Sequence, residues 1–145
     1  MSSYLPNQCC PAARLLCGGQ PSEAQLADFA AANPHGCVVN LRPAAETTGW
    51  DEGAIARRLG LAYVHIPVAG PQDLTPANAK ALASALDAHA DAALLIHCAS
   101  GQRVAALLAL KAAWVDGQSA RQAMATGKSA GLSALQPYVK ARLSG

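Results

Sequence analysis

The amino-acid sequence predicts one α/β domain over residues 1–145, with a mostly parallel central sheet and helices on both faces. Short runs of apolar residues alternate with longer segments of helical periodicity along the chain. A run that is apolar at every position is typical of a strand covered on both faces, as in parallel sheets. The length of 145 residues, with 52% hydrophobic and 14% charged residues, fits one packed core and excludes a disordered chain.

Four strands are predicted from apolar runs that end at turn residues or polar positions. The first is closed by Gly18 and Gly19, with Pro21 just behind them, and the third is ended by Pro67. The predicted strands cover residues 13–17, 37–41, 62–66 and 94–97. Residues 1–12 precede the first strand, and we expect them to form a loose segment.

Six helices are predicted from their start and stop signals. Ser22 and Gln25 have the spacing of a capping box. Thr75 and Pro76 open the third helix, because proline is favoured in a first turn, and Gly60 ends the second. The predicted helices cover residues 23–32, 52–59, 75–90, 102–117, 119–126 and 132–143.

The charge balance and the distribution of apolar residues argue against two classes of partner. Eleven Lys and Arg against nine Asp and Glu give a net charge of +2, without the concentrated basic charge that a nucleic-acid backbone requires. An aromatic content of 4% leaves few rings for base stacking. No window approaches ~18 uninterrupted apolar residues, and the first eight residues lack the pattern of a signal peptide. We therefore expect a cytoplasmic protein with no nucleic-acid and no membrane partner.

The cysteines indicate reduced thiols and argue against a disulfide framework or a zinc site. Their number is odd and none of them is spaced as Cys-x-x-Cys, which fits a reducing compartment. The histidines outside the last strand lie far apart without ligand spacing, so we predict no metal and no cofactor. The cysteines stand at positions 9, 10, 17, 37 and 98.

The segment at residues 97–103 is the strongest candidate for a functional site, because it connects a buried strand with an apolar helix. Backbone N–H groups converge at such a helix start and favour an anion. Gly101 permits the sharp turn and Arg103 offers a planar two-donor fork. The helix end and Arg103 together favour the thiolate of Cys98, a nucleophile beneath an oxyanion pocket. The alternative is a buried cysteine in a strand-to-helix turn that happens to precede an arginine.

This segment resembles the Cys-x5-Arg signature loop of cysteine-dependent protein tyrosine and dual-specificity phosphatases. It resembles more closely a bacterial family of beta-lactamase-hydrolase-like phosphatases. The resemblance covers most of the chain, because several motifs occur in that family's order. It implies a cysteine-phosphatase-like fold and hydrolysis of a tyrosine-type or dual-specificity-type phosphomonoester through a phosphocysteine. The motifs are Gly-Gln-Pro-Ser at 19–22, Val-Asn-Leu-Arg-Pro at 39–43, Tyr-Val-His-Ile-Pro-Val at 63–68 and His-Cys-Ala-Ser-Gly-Gln-Arg at 97–103.

The resemblance also implies a role for each residue of the segment. Cys98 would be the nucleophile, Arg103 the phosphate clamp, and His97 a support that orients the loop. The partner would be a phosphorylated protein or small-molecule substrate, or an oxyanion such as phosphate or sulfate. The amides that would bind the phosphate belong to Ala99, Ser100, Gly101, Gln102 and Arg103.

A phosphatase also needs a general acid to protonate the leaving oxygen. Asp73 is the predicted acid, because it lies in a loop 25 positions before Cys98 and related enzymes take an Asp from such a loop. The alternative for Asp73 is a capping carboxylate for the helix that begins near Thr75. Three other acidic residues are weaker candidates: Glu46, Asp51 and Glu52.

Two departures from the phosphatase pattern leave the function open. Four residues separate Cys98 from Arg103 where the signature has five, so the loop is a Cys-x4-Arg ring with a narrower bowl. Rhodanese-like sulfurtransferases carry a shorter loop of this kind, so sulfur transfer or persulfide handling is the alternative reaction. Val104 stands where tyrosine phosphatases commonly place Ser or Thr. An inactive module that binds oxyanions is therefore a third hypothesis.

Overall fold

The computed structural model describes residues 3–46 and 49–144 of the chain. Within these residues, five strands form one sheet, six α-helices surround it, and a 3-10 turn precedes the third helix. The strands are β1 (Cys9–Ala12), β2 (Leu15–Gly18), β3 (Cys37–Asn40), β4 (Ala62–His65) and β5 (Leu94–His97). The helices are α1 (Glu23–Ala32), α2 (Glu52–Arg58), α3 (Pro76–Ala88), α4 (Gln102–Trp114), α5 (Ala120–Ser129) and α6 (Gln136–Leu143).

The sheet has the strand order β1-β2-β5-β3-β4. Strands β2, β5, β3 and β4 are parallel to one another. Gly18 of β2 and Asn40 of β3 both pair with His97 of β5. The carboxyl ends of three neighbouring strands therefore meet at one edge of the sheet. That edge is where α/β proteins place their sites, and the predicted mostly parallel sheet is confirmed.

The first strand of the sheet was not expected from the sequence. Residues 1–12 were predicted to be loose, whereas Cys9–Ala12 forms an edge strand antiparallel to β2. A two-residue connection joins the strands, with Arg14 at a positive φ of 63°. The strand alternates half-buried and exposed residues and contains Pro11, which an edge strand tolerates. Its short polar-looking sequence therefore gave no continuous apolar signal.

Helices cover both faces of the sheet, as the continuous apolar strands predict. Leu95 of β5 packs into a core shared with Leu26 and Phe29 of α1. Its neighbour Ile96 points to the other face, into a larger core that includes Leu82 of α3 and Leu107 of α4. No helix in the described ranges has both the length and the apolar character needed to cross a bilayer.

All six predicted helices are present, but several of their ends differ from the prediction; α4, for example, ends at Trp114 and not at residue 117. The capping box of Ser22 and Gln25 forms, and Thr75 caps α3. The predicted helix at 119–126 extends to Ser129 as α5. The predicted helix at 132–143 begins later, at Gln136, because Pro137 sits in its first turn and a turn precedes it.

Candidate active site

Cys98 directly follows β5 at the carboxyl edge of the sheet, and its side chain is fully buried. Gly101, with a φ of 102°, is the N-cap of α4 and turns the chain into the helix. This left-handed conformation favours glycine. It places the Gly101 N–H on Cys98 Sγ, with a distance of 3.1 Å between nitrogen and sulfur. The loop at residues 98–103, called the Cys98 loop, therefore aims a backbone donor from the start of α4 back at the sulfur.

The first half of the Cys98 loop is attached to the end of β2. Cys98 N donates to Gly18 O at 3.2 Å, and Gln20 N donates to Ala99 O at 3.1 Å. A Cβ on Gly19 would lie 2.6 Å from Ala99 O, which is too close for any side chain. The glycines that close the first strand in the sequence therefore allow the backbone of β2 to approach the loop.

Arg103 is held by two groups from outside the loop. Its Nη1 and Nη2 donate to the two carboxylate oxygens of Glu46, each at 2.8 Å, and Nη1 also donates to Val68 O at 2.8 Å. These contacts use three of the five N–H groups of a guanidinium. The other two, on Nε and Nη2, lie side by side and form a planar fork. Hydrogen bonding to Glu46 raises the pKa of Arg103, and interaction with Cys98 adds to the effect.

Glu46 is consequently a carboxylate that supports Arg103. Its hydrogen bond with Arg103 is the largest cause of a lowered pKa, and a second contact from Arg42 Nε at 3.2 Å acts in the same direction. A carboxylate with a lowered pKa is a poor proton donor at neutral pH. The structure therefore argues against Glu46 as the general acid, for which the sequence made it a weaker candidate.

His97 and Glu52 form a buried pair at the other end of the loop. The distance between His97 Nε2 and Glu52 Oε2 is 2.5 Å, and the side chains are 0% and 5% exposed. His97 Nδ1 lies 3.2 Å from Cys98 O. Both ring nitrogens therefore have an oxygen partner, which fixes the ring beside the Cys98 backbone. Glu52, another weaker acid candidate, contacts His97 and Gln20.

Asp73 lies in the 3-10 turn Pro71–Asp73, between β4 and α3. Its Oδ2 accepts from Ala69 N at 2.8 Å and closes the loop that begins at Val68, the residue that contacts Arg103. Thr75, and not Asp73, caps α3 by accepting from Asn78 N. The alternative reading of Asp73 as the helix cap is therefore wrong, and its role as the acid stays a prediction.

The remaining predicted residues serve different purposes in the structure. Ala99 and Ser100 are exposed at the tip of the loop, whereas the Gln102 side chain points away and bonds Gly131 O at 2.9 Å. Val104 is fully buried in the core. Among the candidate acids, Asp51 accepts from Ala54 N and caps α2.

Three side chains of the site have roles that the sequence did not predict. Glu46 contacts Arg103, Glu52 contacts His97, and the Gln20 side chain contacts Glu52 and Arg42. Gln20 belongs to the Gly-Gln-Pro-Ser motif on which the family resemblance partly rests, but no role was predicted for its side chain. The four-residue spacing of Arg42 and Glu46 was a possible signal for an ion pair, but nothing in the sequence joined it to Arg103.

One cavity lies beside the residues that hold the Cys98 loop, and a second lies against the loop itself. The larger, of about 620 Å³, is lined by Arg42 and Glu46 on one side and by Tyr63 and His65 of β4 on another. The smaller, of about 360 Å³, lies against the loop at Ser100 and Gly101. The larger cavity touches the groups that hold the loop and does not include the sulfur itself.

Comparison with known proteins identifies the family and the fold of the chain. Residues 17–115 match the family model described as beta-lactamase hydrolase-like protein, phosphatase-like domain. A beta-lactamase hydrolase-like protein of Xylella fastidiosa (strain Temecula1 / ATCC 700964) is 38% identical over 112 residues, which cover 74% of this chain and 25% of that protein. The aligned region thus represents about a quarter of the length of this relative.

Solved structures confirm the predicted cysteine-phosphatase-like fold. The "Putative phosphatase (DUF442)" of Shewanella putrefaciens CN-32 superposes with a TM-score of 0.73 at 26% identity, covering 96% of this chain and 89% of that one. Tk-PTP in the active form gives a TM-score of 0.72 at 19% identity, covering 95% and 96%. P. aeruginosa TpbA in complex with pTyr gives 0.67 at 16%, covering 94% and 80%. From the family match and the relative's identity, the chain belongs to the phosphatase-like domain family of beta-lactamase hydrolase-like proteins.

Proposed function

We propose that this phosphatase-like domain hydrolyses phosphomonoesters, with Cys98 as the nucleophile and Arg103 as the anion clamp. The observation that carries the proposal is the convergence of donors on one sulfur. The Gly101 N–H contacts Cys98 Sγ, and the charged side chain of Arg103 interacts with the same sulfur. Donors arranged in this way stabilise a thiolate and a bound oxyanion together.

The proposed reaction has two steps. The Cys98 thiolate attacks phosphorus, the bond from phosphorus to the ester oxygen breaks, and the leaving oxygen takes the electron pair and a proton. Water then attacks the phosphocysteine, releases inorganic phosphate and restores the thiolate. The Arg103 fork and the loop amides bind the equatorial oxygens of phosphorus in both steps.

Asp73 is the proposed donor of the proton to the leaving oxygen. Its loop supports this role, since the loop starts at the Val68 carbonyl that contacts Arg103. An acid matters most for a poor leaving group. Asp73→Asn is therefore expected to slow hydrolysis of an alkyl phosphate much more than that of a nitrophenyl phosphate. Equal effects on the two substrates would contradict the assignment.

The proposed substrate is a phosphorylated protein or small molecule. TpbA, which has a similar fold, is solved in complex with pTyr, and this supports a tyrosine-type phosphomonoester as the first substrate to test. The five free cysteines support a reducing cytoplasmic setting for the domain.

The test compares the hydrolysis of 4-nitrophenyl phosphate by the wild-type protein and two cysteine variants. Cys98→Ser is expected to lose activity by about a thousandfold or more, because the nucleophile is removed. Cys17→Ser is the matched control, because Cys17 is equally buried on the neighbouring strand. It is expected to stay within about threefold of wild type. Equal rates for the wild-type protein and Cys98→Ser would end the proposal.

Sulfur transfer is the second candidate, and the short loop favours it. With four residues between Cys98 and Arg103, the ring offers one amide fewer than a Cys-x5-Arg loop. In this reaction the Cys98 thiolate attacks the outer sulfur of thiosulfate, the sulfur–sulfur bond breaks, and sulfite leaves with the electron pair. The resulting persulfide then passes its outer sulfur to an acceptor thiolate.

Intact mass spectrometry after incubation with thiosulfate separates the two reactions. Sulfur transfer predicts the mass of one added sulfur atom on the wild-type protein and none on Cys98→Ser. An unmodified wild-type protein, together with Cys98-dependent phosphate release, would favour the phosphatase. Anion binding without either reaction would instead identify a non-catalytic oxyanion-binding module.

A further inference from the structure

A chain of polar side chains runs from the residue before Cys98 into the body of the protein. Glu52 binds His97 through Oε2, and its second oxygen, Oε1, accepts from Gln20 Nε2 at 2.7 Å. Glu52 is 6% exposed and His97 is fully buried. The start of the Cys98 loop is therefore held by a carboxylate whose own position depends on Gln20.

The same glutamine reaches the other end of the loop. Gln20 Oε1 accepts from Arg42 Nη1 at 2.9 Å. Arg42 Nε donates to Glu46 Oε1 at 3.2 Å, and Glu46 holds both terminal nitrogens of Arg103. One amide thus stands between the two carboxylates that fix the two ends of the loop.

Only one orientation of the Gln20 amide satisfies all its neighbours. The two hydrogens on Nε2 are used by Glu52 Oε1 and by Pro21 O, the latter at 3.0 Å, while Oε1 faces the Arg42 guanidinium. A flipped amide would place its NH2 group against the guanidinium and its oxygen against a carboxylate. The position therefore requires a side chain that donates on one side and accepts on the other.

We propose that Gln20 is a positioning residue that couples the two ends of the Cys98 loop. Through it, the placement of Arg103 depends on Glu52, and the placement of Cys98 depends on Glu46. The inference rests on the proposed function in one respect, because it takes Cys98 as the reactive thiol and Arg103 as its anion clamp. It requires no turnover, so it is tested by the chemistry of the thiol alone.

The readout is the ratio of the rates at which iodoacetate and iodoacetamide alkylate Cys98, measured by peptide mass spectrometry. Iodoacetate carries a carboxylate that a positioned Arg103 attracts, whereas iodoacetamide is neutral and of similar size. General loosening of the fold raises the iodoacetamide rate, whereas displacement of Arg103 alone lowers the iodoacetate rate and leaves the iodoacetamide rate nearly unchanged. We expect a ratio of about ten or more in the wild-type protein.

The coupling is measured with a double-mutant cycle of Glu46→Gln and Glu52→Gln. In the native background, each single variant lowers the rate ratio. The fold-decrease in the double variant is at least about threefold smaller than the product of the two single fold-decreases, because either substitution already breaks the same chain of hydrogen bonds. In the Gln20→Met background the two effects multiply. Multiplicative effects in both backgrounds would overturn the coupling while leaving the anion site intact.

A wild-type ratio of one would remove the anion site, and with it both the proposed function and this inference. Gln118→Met is the control background, because Gln118 is exposed and follows the far end of α4. It is expected to preserve the non-additive result. Urea unfolding checks that each variant is folded. If Gln20→Met does not fold, Arg42→Met removes the hydrogen bond to Gln20 Oε1 instead. The same double-mutant cycle in the Arg42→Met background then tests the coupling.

Discussion

Cys17 lies within β2 and Cys98 directly follows the neighbouring parallel strand β5; both are fully buried, but the hydrogen-bond partners of their sulfurs differ. Cys17 Sγ lies near two carbonyl oxygens, Cys9 O at 3.7 Å and Ala130 O at 3.6 Å, so its thiol is a donor. Burial is the main cause that raises its pKa to about 12. Cys98 Sγ instead accepts from the Gly101 N–H.

Burial without donors disfavours the charged form of a thiol, whereas the sulfur of Cys98 has a backbone N–H directed at it. Cys37 on β3 follows the pattern of Cys17, since burial raises its pKa to about 11. Cys17 and Cys37 lie within strands, where backbone groups are used by the sheet. Cys98 lies just past a strand, where a helix begins and its first N–H groups are free of the helix ladder.

Among the changes to residues around Cys98, the largest expected effect comes from replacing the guanidinium of Arg103. Arg103→Lys keeps the charge and loses the planar pair of donors. We expect kcat/KM for 4-nitrophenyl phosphate to fall by about a hundredfold or more. Arg57→Lys is the control, because Arg57 is an exposed arginine that stacks over Tyr63. Retention of activity within about threefold in Arg103→Lys would show that the fork is dispensable.

A tenfold effect is expected from the donor on the sulfur. Gly101→Ala puts a Cβ at a φ of 102° and 3.3 Å from the Gly18 backbone, which displaces the N–H from Cys98. Gly117→Ala is the matched control, because Gly117 has a φ of 73° and open space around it. Both variants are expected to lose about 1–2 kcal/mol in urea unfolding. Only Gly101→Ala should lose activity, by about tenfold. Equal activities would disprove the role of this donor.

A smaller effect concerns the inert cysteine and the alkaline limit of stability. The raised pKa of Cys17 means that the unfolded thiol ionises above 9.0 while the folded thiol stays neutral up to about 12. The free energy of unfolding therefore falls as pH rises through this window. Cys17→Ala should show a shallower fall between about pH 8 and pH 10 in urea titrations. An unchanged slope would mean that another group controls the alkaline loss.

The smallest effect concerns Glu46 and the acid limit. Its lowered pKa means that it stabilises the fold above its ordinary value of 4.5, and that this contribution is lost as pH falls through the lower folded value. Because Glu46 is about one-third exposed, we expect less than about 1 kcal/mol. Glu46→Gln should flatten the acid loss of stability, whereas Glu23→Gln at an exposed position of α1 should not. Identical acid profiles for the wild-type protein and Glu46→Gln would contradict this account.

Local patterns in the sequence were sufficient to predict most of the helices and strands. The capping box at Ser22, the proline after Thr75 and the apolar run before His97 each act within a few residues, so their outcome does not depend on the rest of the chain. The identity of the Cys98 loop followed from the order of its residues along one strand-to-helix turn.

The supports of the loop could not be predicted in this way. Glu46 is 57 residues from Arg103, and Glu52 is 45 residues from His97. Glu46 lies in an irregular segment and Glu52 is the first residue of α2, and no periodicity fixes the direction of either side chain. The sequence therefore offered both as weaker candidates for the acid. The edge strand β1 was also not predicted. It pairs with β2 in a hairpin, and the sequence Cys-Cys-Pro-Ala contains no pattern that indicates a strand.

The attachment of Ala99 to the end of β2 restricts where the Cys98 loop could gain a residue. The bridge between Gly19 and Ser100 leaves room for an additional residue only beyond Ser100, at the start of α4. One residue inserted there turns the following helix by about 100° and carries Arg103 away from Glu46 unless the first turn unwinds. A wider bowl and a firmly held guanidinium are therefore competing properties of this scaffold.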